Sequence, residues 1–138
     1  MPEQSQPQMP APKGGVIAYL AVDGAMKAAE LYKKAFGADV AFVNPPDDKG
    51  RTMHVHLHIN GSSVMLGDFY PEQGHAKVAP AAFSLMLAVN DADAWFDRAV
   101  KAGMTVAMPV QNMFWGDRYG QLKDEFGVLW AVNGPIKS

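Results

Sequence analysis

LAVDGAMKAAELYKKAFGADV, residues 20–40, and LAVNDADAWFDRAVKAGMTV, residues 87–106, are one passage written twice with a single residue deleted. In both, a β-rich run gives way to a capping position, an alanine-rich amphipathic stretch and a glycine, and then a second β-rich run begins. Asp23 is the expected cap of the first helix, which runs to about Phe36. Ala25, Ala28, Ala29, Leu31, Tyr32 and Ala35 supply helix formers and an apolar stripe. Gly37 stands where a left-handed C-cap is wanted. In the second copy Asn90 or Asp91 is the expected cap, the helix runs to Ala102, and Gly103 stops it.

Working outward, each copy continues with the same kind of elements. In the first, Val16 to Val22 reads as a strand, Val40 to Val43 as another, and Pro45 to Gly50 as a turn. Next comes MHVHLHINGSSVMLGD, residues 53–68, two β-rich runs joined by Asn60-Gly61, the strongest short-range hairpin signal. In the second, Phe83 to Val89, Thr105 to Val110, Trp115 to Lys123 and Val128 to Asn133 read as strands, with Asp124 to Gly127 as the last hairpin turn. The order strand, helix, three strands therefore occurs twice. One such unit exposes too much apolar sheet to stand alone, so the two pack into one domain. The expected architecture is α+β, two tandem βαβββ units with curved mixed sheets enclosing a cavity. The units span residues 16–68 and 83–133 of a single domain, 16–138. Residues 69–82 form a linker or lid, and the Pro- and Gln-rich residues 1–15 a disordered tail.

Composition narrows the function classes. The 138 residues carry a formal charge of −2 and no cysteine. That excludes disulfides, thiolate metal sites and a cysteine nucleophile, and gives no reason to expect nucleic acid or a membrane as partner. No apolar run reaches the about 18 residues needed to span a bilayer. A cytoplasmic location is the expectation.

A doubled βαβββ unit resembles the vicinal oxygen chelate superfamily of glyoxalases, bleomycin-resistance proteins and extradiol dioxygenases, over nearly all of Val16 to Asn133. Four stretches are similar to its PhnB-like branch, often labelled as resembling a 3-demethylubiquinone methyltransferase. They are Tyr19-Leu20, Leu31 to Gly37, the run Phe114-Trp115-Gly116-Asp117-Arg118-Tyr119-Gly120, and Asp124 to Trp130, where Glu125 replaces the usual proline. The resemblance implies a homodimer, a pocket for a small organic molecule, and metal ligands on the first and last strands of each unit. Those positions fall on Ile17, Met65, Ser84 and Ala131. None is a plausible ligand for a divalent ion that wants carboxylate or imidazole, so no cofactor is expected.

His54, His56 and His58 alternate on one strand and share a face, with Val55, Leu57 and Ile59 on the other. Neighbouring members of the trio are about 7 Å apart at the backbone and the outer two about 13 Å. Two could therefore converge on one ion, but not three. A divalent metal at His54 and His56, serving a relocated lyase- or dioxygenase-type site, is one alternative. A ligand-free dimeric interaction protein is another. The preferred reading is a metal-free pocket walled by Tyr19, His54, His56, Met65, Ser84, Met86 and Arg118. Within it a histidine could act as a base near pH 7, and Arg118 could clamp a carboxylate or phosphate. Arg118 shares a face with Gly116 and Gly120, and a structural salt bridge is its competing role. Trp115, Trp130 and Phe126 read as core, and Asp68 and Asp124 as capping or turn residues.

Overall fold

The computed structural model describes residues 9–137. The first unit comprises β1 (Ala18–Val22), α1 (Ala25–Phe36), β2 (Asp39–Val43), β3 (Val55–Ile59) and β4 (Ser62–Asp68). The second comprises β5 (Leu85–Ala88), α2 (Ala92–Lys101), β6 (Thr105–Asn112), β7 (Asp117–Lys123) and β8 (Leu129–Pro135). Each forms its own four-stranded sheet, ordered β1-β4-β3-β2 and β5-β8-β7-β6. β1 lies parallel to β4 and β5 to β8, while the other neighbours are antiparallel. This is the α+β architecture of two tandem βαβββ units that the repeat implies.

The sheets are two-faced because their sequences alternate. Leu20, Val22, Val55, Leu57, Ile59, Val64 and Leu66 turn to the helix side and are buried. Ala25, Ala28, Ala29 and Ala35 of α1 are buried in the same core, and such small side chains let a helix lie close to a sheet. The units meet where α1 packs on α2, and the aromatic rings of α1 reach β8. Phe36 and Trp130 have ring centroids 4.7 Å apart, and Tyr32 and Trp130 5.1 Å.

A buried carboxylate ties this seam. Asp124, in the β7–β8 turn, accepts from the Tyr32 hydroxyl of α1 (2.5 Å) and from Trp130 Nε1 (3.0 Å). Its other oxygen accepts from the backbone N–H of Phe126 and of Val128, both at 2.9 Å. Burial, with the Asp124 charge beside it, pushes the Tyr32 phenol far above the ordinary range, so it remains a donor. Arg98 of α2 adds a second tie, donating to the Lys34 carbonyl at the C-terminus of α1 (2.9 Å).

Several sequence expectations change. Asp23 does not cap α1: Gly24 is the N-cap residue, at φ +117°, and its side-chain acceptor comes from the far end of β4. Asp68 Oδ1 accepts from the N–H of Gly24 (2.8 Å) and of Ala25 (3.1 Å). Asp91 does cap α2, accepting from Ala94 N (3.1 Å). β7 starts at Asp117, since Phe114 to Gly116 form a turn with Gly116 at φ +100°. Trp115 sits on that turn at 47% exposure and not in the core, where Trp130 is fully buried. Part of the expected tail lies outside the described residues. Lys13, within the rest, is held on β4, its carbonyl accepting from Ser63 N (2.9 Å) and its N–H donating to Ser63 Oγ (2.7 Å).

Candidate functional site

The face of the first sheet turned away from the helices starts from a glycine. A Cβ at Gly67 would lie 2.5 Å from the Met53 carbonyl oxygen, so only glycine lets that carbonyl rest on β4. Tyr19, on the neighbouring β1, donates its hydroxyl to this carbonyl at 2.6 Å. The same hydroxyl oxygen lies 3.0 Å from His54 Nδ1, and the two rings stack with centroids 5.7 Å apart. Partial burial pushes the Tyr19 phenol up, which keeps it protonated.

Register sets out the rest of this face. Tyr19 pairs with Met65, Met65 with His56, and His56 with Phe42, giving one row across all four strands. His56 is fully buried, with Nε2 2.7 Å from Ser63 Oγ. Burial, then the neighbouring His58 and His54, pull its pKa below the ordinary histidine value. Among the described residues His56 Nδ1 and His58 Nε2 are buried without a hydrogen-bond partner. The equivalent row of the second sheet is Met86, Ala131, Gln121 and Met108. It carries an amide where the first has an imidazole, so the histidine chemistry of this row lies on the first sheet.

The seven residues expected to share a pocket do not all come together. Tyr19, His54, His56 and Met65 share the open face of the first sheet. Ser84 precedes β5, and with Met86 it lines a separate recess of about 240 Å³ at the seam, facing Val16, Ala18 and Ser63. Arg118 is on the other side of its sheet altogether. It shares a face with Gly120, as alternation requires, but a Cβ at Gly120 would meet Phe96 of α2 at 3.0 Å, which identifies that face as the helix side. There its guanidinium grips Asp93 of α2 with two bonds, Nε to Oδ2 at 2.6 Å and Nη2 to Oδ1 at 2.9 Å. Arg118 is a structural clamp, and Asp93 beside it is held down at a pKa of about 2.

The groove with the most coherent chemistry runs along β1 beneath the segment that links the units. A hollow of about 450 Å³ is lined by Tyr19, Leu20, Ala21, Phe69, His75, Ala76, Val78, Ala79, Pro80, Phe83 and Val128, with no Asp, Glu, Lys or Arg among them. A contiguous recess of about 370 Å³ shares Tyr19, Leu20, Ala21, Phe69 and His75 and adds Met53, Gly67, Asp68 and Tyr70. Asp68 is already engaged, as the cap of α1 and as acceptor from Thr52 N (2.9 Å). Arg51 holds the start of the linking segment in place. It forms two bonds to Glu72 (2.6 and 3.1 Å) and lies 4.5 Å over the Tyr70 ring. A neighbouring polar recess at Asp23, Lys77 and Glu125 has its charges paired, Lys77 with Asp23 at 2.9 Å and Lys27 with Glu125 at 3.3 Å.

His75, Phe69, Phe83, Ala21 and Gly67 were not singled out from the sequence. The signal for Gly67 was available, because a glycine inside a strand pattern marks close backbone approach. The signal for Phe69 and His75 was weaker, namely aromatic rings within a linker, and Ala21 on β1 and Phe83 at the start of the second unit carried none.

A metal does not fit the positions the resemblance supplies. Ile17, Met65, Ser84 and Ala131 offer no carboxylate or imidazole. Among the described residues no three of His, Asp and Glu are grouped to hold an ion. At the alternative location His54 Nδ1 is occupied by Tyr19 and His56 Nε2 by Ser63, with ring centroids 6.5 Å apart.

Comparison with known proteins agrees with this fold. Residues 15–132 match the model of the Glyoxalase/Bleomycin resistance protein/Dioxygenase superfamily. The chain is 38% identical over 125 residues to the uncharacterized protein Mb0911c of Mycobacterium bovis, covering 86% of this chain and 82% of that one. The solved structure of PA1353 from Pseudomonas aeruginosa superposes with a TM-score of 0.72 at 26% identity, over 88% of this chain and 98% of that one. The PhnB protein of Bacillus cereus shares the fold, with a TM-score of 0.66 at 20% identity over 86% of this chain and 98% of that one. The chain belongs to the glyoxalase/bleomycin resistance protein/dioxygenase superfamily.

Proposed function

We propose that this superfamily member, a PhnB-like protein, binds a small, uncharged, largely apolar organic molecule in the groove between β1 and the linking segment, without the superfamily metal. The observation that carries the reading is the hollow of about 450 Å³, walled mainly by apolar side chains, with Tyr19 and His75 as its polar groups and no Asp, Glu, Lys or Arg in its lining. A pocket of that size and character suits a small ring system more than an organic anion. Tyr19, 56% exposed, and Met86, 57% exposed, leave both sheet faces partly open, which supports a homodimer in which a second copy closes the site. No described helix is long and apolar enough to cross a membrane. A cytoplasmic location is part of the same proposal.

The experiment is a thermal-shift panel of neutral aromatic compounds set beside organic acids, since a ligand that binds only the native state raises stability. Neutral aromatics should raise Tm and acids should not. Ala21→Phe fills the groove from an exposed β1 position and should abolish the shift while the protein stays folded. A shift that survives in Ala21→Phe places the ligand elsewhere. A dimer by light scattering together with no shift for any compound favours a dimeric interaction protein without a ligand.

A further inference from the structure

The two contiguous recesses of the groove share Tyr19, Leu20, Ala21, Phe69 and His75, so a molecule lying across both passes these residues. Only Tyr19 and His75 among them have polar side chains. The Tyr19 hydroxyl is spent: its one hydrogen goes to Met53 O at 2.6 Å, and its oxygen meets His54 Nδ1 at 3.0 Å. In the adjoining recess Asp68 is committed to three backbone N–H groups. Tyr70, also there, is 5% exposed, with the Arg51 guanidinium 4.5 Å over its ring. His75 differs, because it is exposed and its imidazole makes no hydrogen bond or ion pair among the described residues. The segment that carries it is firmly built. Tyr70 O accepts from Gln73 N (2.9 Å) and His75 N (3.0 Å), closing a turn in which Gly74 stands at φ +87°. Arg51 clamps that turn through two bonds to Glu72, at 2.6 and 3.1 Å, and is itself held by Asp47 at 3.0 Å. A guanidinium bonded twice to one carboxylate sets orientation as well as distance.

We infer that His75 selects the ligand by hydrogen bonding through its imidazole, with Arg51 as its positioning residue, and that the ligand is a hydroxylated fused-ring aromatic. This rests on the reading of the Tyr19 groove as a ligand site. Two recesses joined along β1 offer more length than a single ring fills, and their apolar walls suit the rings. The hollow has no Lys or Arg to balance an anionic substituent, which favours a neutral one. A hydroxyl fits a free imidazole in particular. The neutral ring carries one donor and one acceptor, and a hydroxyl can meet either. A ligand without the hydroxyl covers the imidazole and leaves it unpaired, which is the source of the discrimination.

Naphthol and naphthalene share a ring system and differ in one hydroxyl, which makes them the probe pair. Both should bind the full chain, and both should be lost in Ala21→Phe. The ratio of naphthol to naphthalene affinity should fall about fivefold in His75→Ala, the loss expected for one hydrogen bond. His75→Gln, whose amide still bonds, should recover part of it. His75 is exposed, so these variants remove no buried side chain. Arg51→Met should lower the same ratio, whereas a merely structural loss weakens both compounds alike and overturns the positioning role. A ratio unchanged in His75→Ala, with both compounds lost in Ala21→Phe, overturns the inference while leaving the groove as a ligand site. Binding of neither compound, or binding that survives Ala21→Phe, overturns both.

Discussion

Tyr32→Phe removes one hydroxyl from the seam between the units and nothing else. The phenyl ring keeps its contacts with Phe36 and Trp130, so no apolar burial is lost. Asp124 retains three of its four donors: Trp130 Nε1 and the N–H groups of Phe126 and Val128. What disappears is a 2.5 Å hydrogen bond to a carboxylate, between side chains 0% and 6% exposed. A hydrogen bond to a charged group contributes about 1.5–3 kcal/mol, and the group left behind is only partly unsatisfied, so a loss of about 2 kcal/mol is expected. For a domain of this size that corresponds to a fall in Tm of roughly 5–10 °C. Urea titration should show the midpoint falling at unchanged slope, as for a change in stability alone. Val128, held by the same carboxylate, lines the groove, so affinity for a neutral aromatic should weaken as well. A change below about 0.5 kcal/mol, the range of ordinary surface substitutions, would refute the reasoning that this buried bond ties the units.

Gly67→Ala places a methyl group 2.5 Å from the Met53 carbonyl oxygen and should cost about 1–3 kcal/mol in urea titration, with loss of the Tyr19 bond to that carbonyl visible in ring NMR shifts. Arg118→Ala should lower Tm by freeing α2 from β7, yet leave the thermal shift given by a neutral aromatic intact; loss of that shift in a folded variant would restore Arg118 to the site. For His56 the folded-state pKa lies below the unfolded value, so the unfolded chain takes up the proton first on acidification. Its contribution to stability is present above about pH 6.5 and is lost as pH falls from there toward the depressed folded pKa. Urea midpoints at pH 7.5 and 5.5 should differ in that direction, and by less in His56→Gln.

Much of the fold was legible in local sequence. Hydrophobic alternation, the Asn60-Gly61 turn and the glycines after each helix act over a few residues, and their recurrence at two places in the chain discloses the doubled unit. Pairing followed as well: the Asn60-Gly61 turn puts Met65 opposite His56, and the structure has that register. Alternation correctly put Arg118 on one face with Gly120, and His54 and His56 on one face with Met65. Asp68 reads as a capping or turn residue and is one, but that it caps α1 was not legible, because it is more than forty residues from Gly24 along the chain.

Which residues share a strand face is a two-residue periodicity, and the sequence determined it for this protein. Which of the two faces a helix covers depends on how the units dock, and only the tertiary structure decided that. Arg118 shows the difference, since its parity was readable but α2 and Asp93 claim its side. The Tyr19 groove shows it too. Its walls come from β1, the linking segment and Val128 just before β8, which no local pattern connects, and the Tyr19 hydroxyl in it meets a carbonyl admitted by Gly67 in a different strand. Local periodicity specifies elements and their faces, while a site needs the distances between elements, and those are set by packing.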